Sequence, residues 1–150
     1  MREILFRGKP KQETDYYFFS QNWKNNCKDG FVYGSLIVSN SRYYICVSAL
    51  CNIKCCVNNG ITSMIEVIPE TVGQYTGLTD KNCTKIFEGD IILYGLIPCV
   101  VKYDAVNARF MLYENGKYLR NGFNVDTMKL KEVIGNVHDN AELLGGANNG

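Results

Sequence analysis

The sequence predicts a mainly β protein with few short helices. Its apolar residues recur with a period of two, in short runs rich in β-branched and aromatic side chains. Clusters of Gly, Asn and Asp separate these runs, as expected for strands joined by tight turns. No stretch approaches the roughly 18 consecutive apolar residues of a membrane-spanning helix, so we expect no membrane partner.

Ten runs fit the strand pattern. The predicted strands are residues 4–7, 31–38, 43–48, 64–68, 73–75, 85–87, 90–94, 98–103, 109–113 and 132–137. The second and third runs flank Ser39-Asn40-Ser41-Arg42, which predicts a hairpin with a four-residue connection. In the Glu88-Gly89-Asp90 segment, glycine is expected to permit a sharp turn or a bulge while both carboxylates face water.

Two β subdomains are expected. A Gly-Asp turn that feeds a series of strands is typical of small SH3-like barrels, so residues 67–144 are predicted to form an SH3-like antiparallel barrel. Residues 1–66 then form an N-terminal β subdomain with an aromatic-rich segment, and the seam is expected at residues 58–60, Asn-Asn-Gly. Residues 145–150 have little to bury and are predicted to be a flexible tail.

Helical signals are confined to two short segments. Tyr16, Phe19 and Trp23 are spaced three and four residues apart, which favours either a short helix over residues 15–23 or an aromatic-rich loop or edge strand. Residues 141–144 are predicted to form a brief helical turn, capped by Asp139 or Asn140, whose leucines close over one end of the barrel.

Charge and composition limit the classes of partner. Sixteen basic and fifteen acidic residues give a formal net charge of +1, so no global field attracts the chain to nucleic acid or to an anionic membrane. A local basic face of Lys102, Lys129 and Lys131 is the alternative to solvated lysines. The N-terminal segment alternates charged and apolar residues and lacks the apolar core of a secretion signal, which favours a cytoplasmic protein.

Seven cysteines are present, and four of them cluster at Cys46, Cys51, Cys55 and Cys56. Structural zinc sites usually contain two cysteine pairs, each spaced by two to four residues and separated by a longer loop. The cluster departs from this spacing, and adjacent Cys55 and Cys56 would point to opposite faces of a strand. Reduced thiols are therefore predicted, with a metal site as the alternative.

Catalytic chemistry has few candidates in this chain. His138 is the one histidine, and it follows a predicted strand beside Asp139, where capping or surface structure is the ordinary role. The acidic candidates are Glu70, Asp80, Glu88, Asp90 and Asp104, of which Glu88 and Asp90 have the spacing of a shared strand face. Turn structure explains these carboxylates more simply than catalysis does. We therefore predict no catalytic, cofactor-binding or metal-ligating residues and no cofactor.

The aromatic content points towards association. Tyr16, Tyr17, Phe18 and Phe19 are consecutive and cannot all point into one small core. Buried protein interfaces are enriched in aromatic residues, and exposed strand edges favour pairing with an identical chain. Homo-oligomer formation is the simplest interpretation.

Several segments together resemble the YopX family of phage and prophage proteins. They are residues 2–8 (REILFRG), 32–36 (VYGSL), 67–92 (VIPETVGQYTGLTDKNCTKIFEGDII), 101–104 (VKYD), and 132–140 (EVIGNVHDN) with 142–144 (ELL). Cys83 replaces the glycine common in the family, and Ala141 stands where the family often has proline. The resemblance implies a mainly β protein in the host bacterial cytoplasm and transfers no catalytic residues.

Three functions are compatible with these observations. The first is a non-enzymatic, homo-oligomeric interaction or assembly module in phage growth, whose partner is a copy of itself or another phage or host protein. The second is a small barrel that binds nucleic acid through Tyr and Lys side chains. The third is a small hydrolase or thiol enzyme centred on His138 or on the cysteine cluster.

Overall fold

A computed structural model describes residues 1–11, 27–46, 64–119 and 122–145. The fold is mainly β with few short helices, as the sequence predicts, and it contains a curled half-barrel sheet and a second sheet. Three groups of predictions lie outside the described residues: the helix or loop at 15–23, the seam at 58–60 with Cys51, Cys55 and Cys56, and the tail from residue 146. None of the helices within the described ranges is long and apolar enough to cross a membrane.

Twelve strands occur in the described ranges. They are β1 (Phe6–Gly8), β2 (Cys27–Lys28), β3 (Phe31–Ser39), β4 (Arg42–Cys46), β5 (Met64–Val67), β6 (Gly73–Thr79), β7 (Lys85–Phe87), β8 (Asp90–Tyr94), β9 (Ile97–Asp104), β10 (Arg109–Glu114), β11 (Lys117–Tyr118) and β12 (Val133–Asn136). The helix α1 spans Val125–Met128, and short 3₁₀ helices span Pro69–Thr71 and Ala141–Leu144. Each of the ten predicted strands is present. β7 and β8 have the predicted bounds, and the other eight have at least one shifted end, whereas the sequence does not predict β2, β11 and α1.

The chain forms two compact units. The N-terminal unit is Ile4–Gln74, and the C-terminal unit is Met1–Glu3 with Tyr75–Gly150. The division therefore falls inside β6. The subdomain boundary predicted between residues 66 and 67 stays a prediction.

The N-terminal unit contains antiparallel strands in the order β5-β4-β3-β1-β6, with β2 also paired to β3. Alternating residues of these strands supply its buried core, which consists of Val32, Ile45, Ile65 and Val67. The guanidinium carbon of Arg7 lies 4.5 Å from the centroid of the Phe31 ring. Both side chains are buried, so the ring covers the cation inside this unit.

The β3–β4 hairpin differs from its prediction in loop length. Ser39 pairs with Arg42, so Asn40 and Ser41 alone form the turn, with φ of 49° and 61°. Two central residues with positive φ define a type I′ turn, which matches the right-handed twist of the paired strands. The predicted four-residue connection is therefore wrong, because its outer residues belong to the ladder.

The C-terminal unit is built on a five-stranded antiparallel sheet with the order β11-β10-β9-β8-β12. Strands β8 to β11 follow one another as hairpins, and β12 returns to pair with β8. One face of the sheet buries a core of Ile86, Ile92, Cys99, Val101, Leu112 and Met128. Met128 reaches this core from α1, whose first turn is capped by the Asn124 side chain accepting the Thr127 N–H at 2.9 Å.

The turn between β7 and β8 confirms one expectation and corrects another. Gly89 has φ of 86°, a conformation that glycine adopts without steric cost. Asp90 does not face water as expected: it is 2% exposed, and its carboxylate accepts the Phe87 N–H at 2.8 Å. The carboxylate is buried because it satisfies a backbone donor across the turn.

The predicted helical turn at residues 141–144 is present, and Asn140 occupies its N-cap position, but the Asn140 side chain forms no capping hydrogen bond. The Asn140 side chain accepts the Asn136 N–H at 3.2 Å, and the Asp139 carboxylate accepts from the Asn136 side-chain amide at 3.0 Å. Both side chains therefore close the preceding turn instead of capping the helix. A Cβ on Gly135 would lie 2.5 Å from the Asn140 Oδ1, so glycine leaves room for this arrangement.

The turn after β6 carries backbone strain at Cys83. Its φ is 61°, a left-handed conformation that a non-glycine residue adopts at a cost. The sequence suggested that Asn82 could adopt this conformation, but the positive φ falls on the next residue, where the resemblance indicated a missing glycine. Cys83 is exposed, so its side chain adds no core packing that would offset the strain.

Cys83→Gly is expected to stabilise the protein by about 1 kcal/mol, because glycine removes most of the left-handed strain. The measurement is the urea midpoint of unfolding at unchanged m-value. Cys83→Ser is the matched control, since it removes the thiol and keeps the strain. A glycine variant no more stable than the serine variant would contradict the explanation.

Candidate interaction surface

An apolar groove lies in the C-terminal unit, with a volume of about 380 Å³. Its apolar lining residues are Leu93, Leu96, Ile97, Pro98, Ile134, Leu143 and Leu144, and its polar ones are Glu114 and Asn115. The volume lies within the usual range of binding pockets, and a mostly apolar lining with few polar groups is typical of them. The groove is therefore the candidate functional site among the described residues.

Two hairpin turns place the groove at one end of the five-stranded sheet. Leu96 belongs to the β8–β9 turn and Asn115 to the β10–β11 turn, and antiparallel order brings these turns to the same end. Leu93 lines the groove, whereas its neighbours Ile92 and Tyr94 pack with the core cluster. Because successive side chains of a strand alternate, Leu93 and Pro98 point away from that core, whereas Ile97 and Glu114 share the face of the core residues Cys99 and Leu112. The groove therefore lies at the end of the sheet and includes residues from both faces.

Strand β12 and the following 3₁₀ helix complete the groove. The register of β12 against β8 shifts between Val133 and Gly135, which places Ile134 at a bulge. Such bulges redirect a side chain, and Ile134 here lines the groove. Leu143 and Leu144 come from the helical turn that the sequence predicted would close one end of the barrel, and they line the groove as well.

The solvent-facing part of the lining is strongly apolar. Leu96 is 93% exposed, and Ile97 and Ile134 are also exposed. A contiguous exposed apolar patch is costly in water and commonly marks an interaction site. Glu114 adds one carboxylate to this surface, so the groove combines apolar contacts with a single negative charge.

The structure does not assemble His138 with other candidate groups into a metal site. His138 is exposed on the turn after β12, where its backbone N–H donates to the Asn136 Oδ1 at 3.0 Å. Its Nε2 lies 3.6 Å from the position a Cβ would take on Gly89. Within the described ranges, no group of three or more His, Cys, Asp or Glu side chains is placed to hold a metal ion.

Four of the five acidic candidates have structural hydrogen bonds, and the fifth, Glu70, is exposed in the 3₁₀ helix Pro69–Thr71. Glu88 accepts the Tyr103 N–H at 3.4 Å, while Asp90 accepts across its own turn. Asp80 accepts three backbone N–H groups. In the exposed β9–β10 turn, the hydrogen bond from the Asn107 side chain lowers the pKa of Asp104, with help from backbone N–H groups of the turn.

Two of the three lysines predicted as a local basic face, Lys102 and Lys131, do not converge. The Lys131 ammonium lies 4.5 Å from the Tyr94 ring, which packs with the core cluster. The Lys102 ammonium lies 5.8 Å from the Tyr113 ring, and Tyr113 alternates with core residue Leu112. The two charges therefore lie on opposite faces of the sheet.

Sequence reasoning found only part of the groove. It singled out the leucines at 143 and 144, but it did not connect them with Leu93, Leu96 or Glu114. The available signal was Leu96 in a hairpin turn, where a large apolar side chain has nothing local to pack against. Joining this residue to the closing leucines requires the position of β12, which sequence spacing does not provide.

These features define a small β protein with an apolar groove at one end of its C-terminal sheet. The profile of the YopX protein family matches residues 5–145, and the chain belongs to this family. The resemblance read from the sequence is thereby confirmed.

Part of the chain is similar to a solved structure from Enterococcus faecalis. The crystal structure of protein EF1440 from Enterococcus faecalis shares 33% identity, with a TM-score of 0.40. The match covers 49% of this chain and 55% of that chain, so the chain matches about half the length of this relative. No curated protein matches the sequence.

Burial raises the pKa of two of the described thiols, Cys27 and Cys99. Burial, with a smaller contribution from the Glu114 charge, raises the pKa of Cys99 to about 11. Burial is also the largest cause of the raised pKa of Cys27. A nucleophilic cysteine needs a lowered pKa, so neither residue has the environment of an activated thiol.

Alkylation of the folded protein at pH 8 is expected to modify Cys99 about a hundredfold more slowly than exposed Cys83, because Cys99 is buried and almost entirely protonated. Peptide mapping by mass spectrometry over a time course measures both rates. In denaturant the rates should become equal, which serves as the control. Equal rates in the folded protein would contradict the assignment.

Proposed function

We propose that this protein is a non-enzymatic interaction module that binds further copies of itself through the apolar groove. The observation that carries the proposal is the groove itself, whose rim presents Leu96 to solvent at 93% exposure. Protein association buries such apolar surface and thereby gains free energy, whereas an isolated chain leaves it in water.

The position of the groove supports a role in protein association. Its walls are a sheet end, a bulged edge strand and a helical turn, so the apolar side chains are held by paired backbone. Preformed surfaces lose little conformational entropy on binding. The small net charge adds no strong repulsion between copies.

The biological setting is part of the proposal. Membership of the YopX family supports a protein of phage type. We propose that it acts in phage growth inside the host bacterial cytoplasm. Binding to another phage or host protein, and nucleic-acid binding by the C-terminal sheet, stay predictions.

Light scattering coupled to size exclusion tests self-association. Across micromolar concentrations we expect a mass above the 17.0 kDa of one chain. Leu96→Glu is expected to weaken association about tenfold or more, which corresponds to about 1.4 kcal/mol, because it places a charge in the groove. A strict monomer throughout this range would contradict the proposal.

The matched control is Val106→Glu. Val106 is 92% exposed in the β9–β10 turn, at the opposite end of the sheet from Leu96. Both substitutions exchange an exposed apolar side chain for a carboxylate, and neither disturbs a core. Equal loss of association in the two variants would indicate that any added negative charge weakens association, and that the groove has no specific role.

A further inference from the structure

A second exposed apolar feature lies outside the groove, in the segment between α1 and β12. Leu130 is 77% exposed directly after α1, between Lys129 and Lys131. We call residues 129–131 the Leu130 knob. A large apolar side chain flanked by two cations on the surface is available for an apolar site that carries a negative charge.

The backbone of the Leu130 knob is fixed by hydrogen bonds. The N–H of Leu130 donates to the Thr127 carbonyl at 3.1 Å, and that of Lys131 donates to the Met128 carbonyl at 3.0 Å. The Lys131 carbonyl accepts the Lys81 N–H at 2.9 Å. Leu130 is therefore held outwards on an ordered turn, so docking it costs little conformational entropy.

The groove and the Leu130 knob are chemically complementary. The groove is lined by leucine, isoleucine and proline side chains and contains the Glu114 carboxylate. In the part of the chain that the structure describes, Glu114 forms no ion pair. The knob supplies one apolar side chain and, next to it, the ammonium of Lys129. Lys131 is already placed over the Tyr94 ring, which leaves Lys129 as the partner for Glu114.

The knob and the groove of one chain do not meet in the structure. Leu130 is 77% exposed and is not among the residues that line the groove. A contact in which Leu130 fills the groove therefore joins two copies. Because the two patches are different, the contact is heterologous, and each copy retains one unused patch for a further copy.

We propose that Leu130 of one copy inserts into the groove of another, with Lys129 beside Glu114 of the receiving copy. This inference rests on the proposed self-association and specifies its two surfaces. The resulting assembly grows head to tail, either to a closed ring or to an open chain.

Mixing two variants tests the pairing directly. Leu96→Glu blocks the groove and leaves the knob intact, whereas Leu130→Glu blocks the knob and leaves the groove intact. Each variant alone is expected to be monomeric at concentrations where the wild-type protein associates. An equal mixture is expected to form a complex of two chains, because one knob and one groove remain functional.

The outcomes separate the two proposals. A monomeric wild-type protein overturns both. If the wild-type protein is an oligomer and Leu130→Glu leaves that oligomer unchanged, the role of the Leu130 knob is contradicted, whereas the proposed self-association stands. Two monomeric variants that do not combine on mixing overturn the heterologous contact. Circular dichroism and thermal melting establish that the variants fold. Folding is expected because substitutions at exposed positions change stability little.

A charge exchange tests the proposed ion pair. Glu114→Lys and Lys129→Glu are each expected to weaken association about tenfold at low salt, because each places like charges together. The chain carrying both substitutions is expected to regain most of the wild-type affinity. If the double variant loses as much binding free energy as the two single variants together, the pairing of Lys129 with Glu114 is contradicted.

Discussion

The buried carboxylate of Asp80 is the constraint on which the C-terminal unit depends. Asp80 is 3% exposed, and its Oδ1 accepts the N–H groups of Asn82 at 2.8 Å and Thr84 at 2.9 Å. Its Oδ2 accepts the N–H of Val133, 53 residues further along the chain, at 3.1 Å. Charge-assisted hydrogen bonds of this kind are stronger than neutral ones, and an unpaired buried carboxylate would be costly.

This carboxylate connects the turn after β6 with the first residue of β12. Backbone contacts run beside it, since the Lys81 N–H donates to the Lys131 carbonyl. The Lys81 ammonium also forms an ion pair with Glu132. These contacts fix the start of β12 and the end of the Leu130 knob. The bulge at Ile134 and the helical turn with Leu143 come next along the chain. The position of the groove therefore depends on the same contacts.

The same arrangement joins two segments that carried the family resemblance. The segment that contains Asp80 and the closing segment from Glu132 meet at the Asp80–Val133 hydrogen bond. In the sequence, Asp80 was one of five acidic candidates for a site, and its role was not predicted. Asp80 accepts hydrogen bonds from its own turn and from a strand far along the chain. This role can be identified only when the position of that strand is known.

Strand positions were predictable because β-branched and aromatic residues with a period of two require a pleated, half-buried surface. The two-residue strands β2 and β11 are too short to show that period. The burial of Asp90 was missed because polarity alone placed it in water, whereas the Phe87 N–H provides a donor inside the turn. The groove was missed because its residues come from separated elements whose proximity follows from sheet order.

Amide hydrogen exchange at Val133 tests the central role of Asp80 most directly. Asp80→Asn keeps one acceptor oxygen for the turn but replaces the other with a donor that cannot accept the Val133 N–H. The wild-type Val133 amide is predicted to be protected as strongly as core amides of β8. It should lose about tenfold or more of that protection in Asp80→Asn and little in the exposed control Asp126→Asn. A wild-type Val133 amide that exchanges as fast as exposed turn amides would contradict the account.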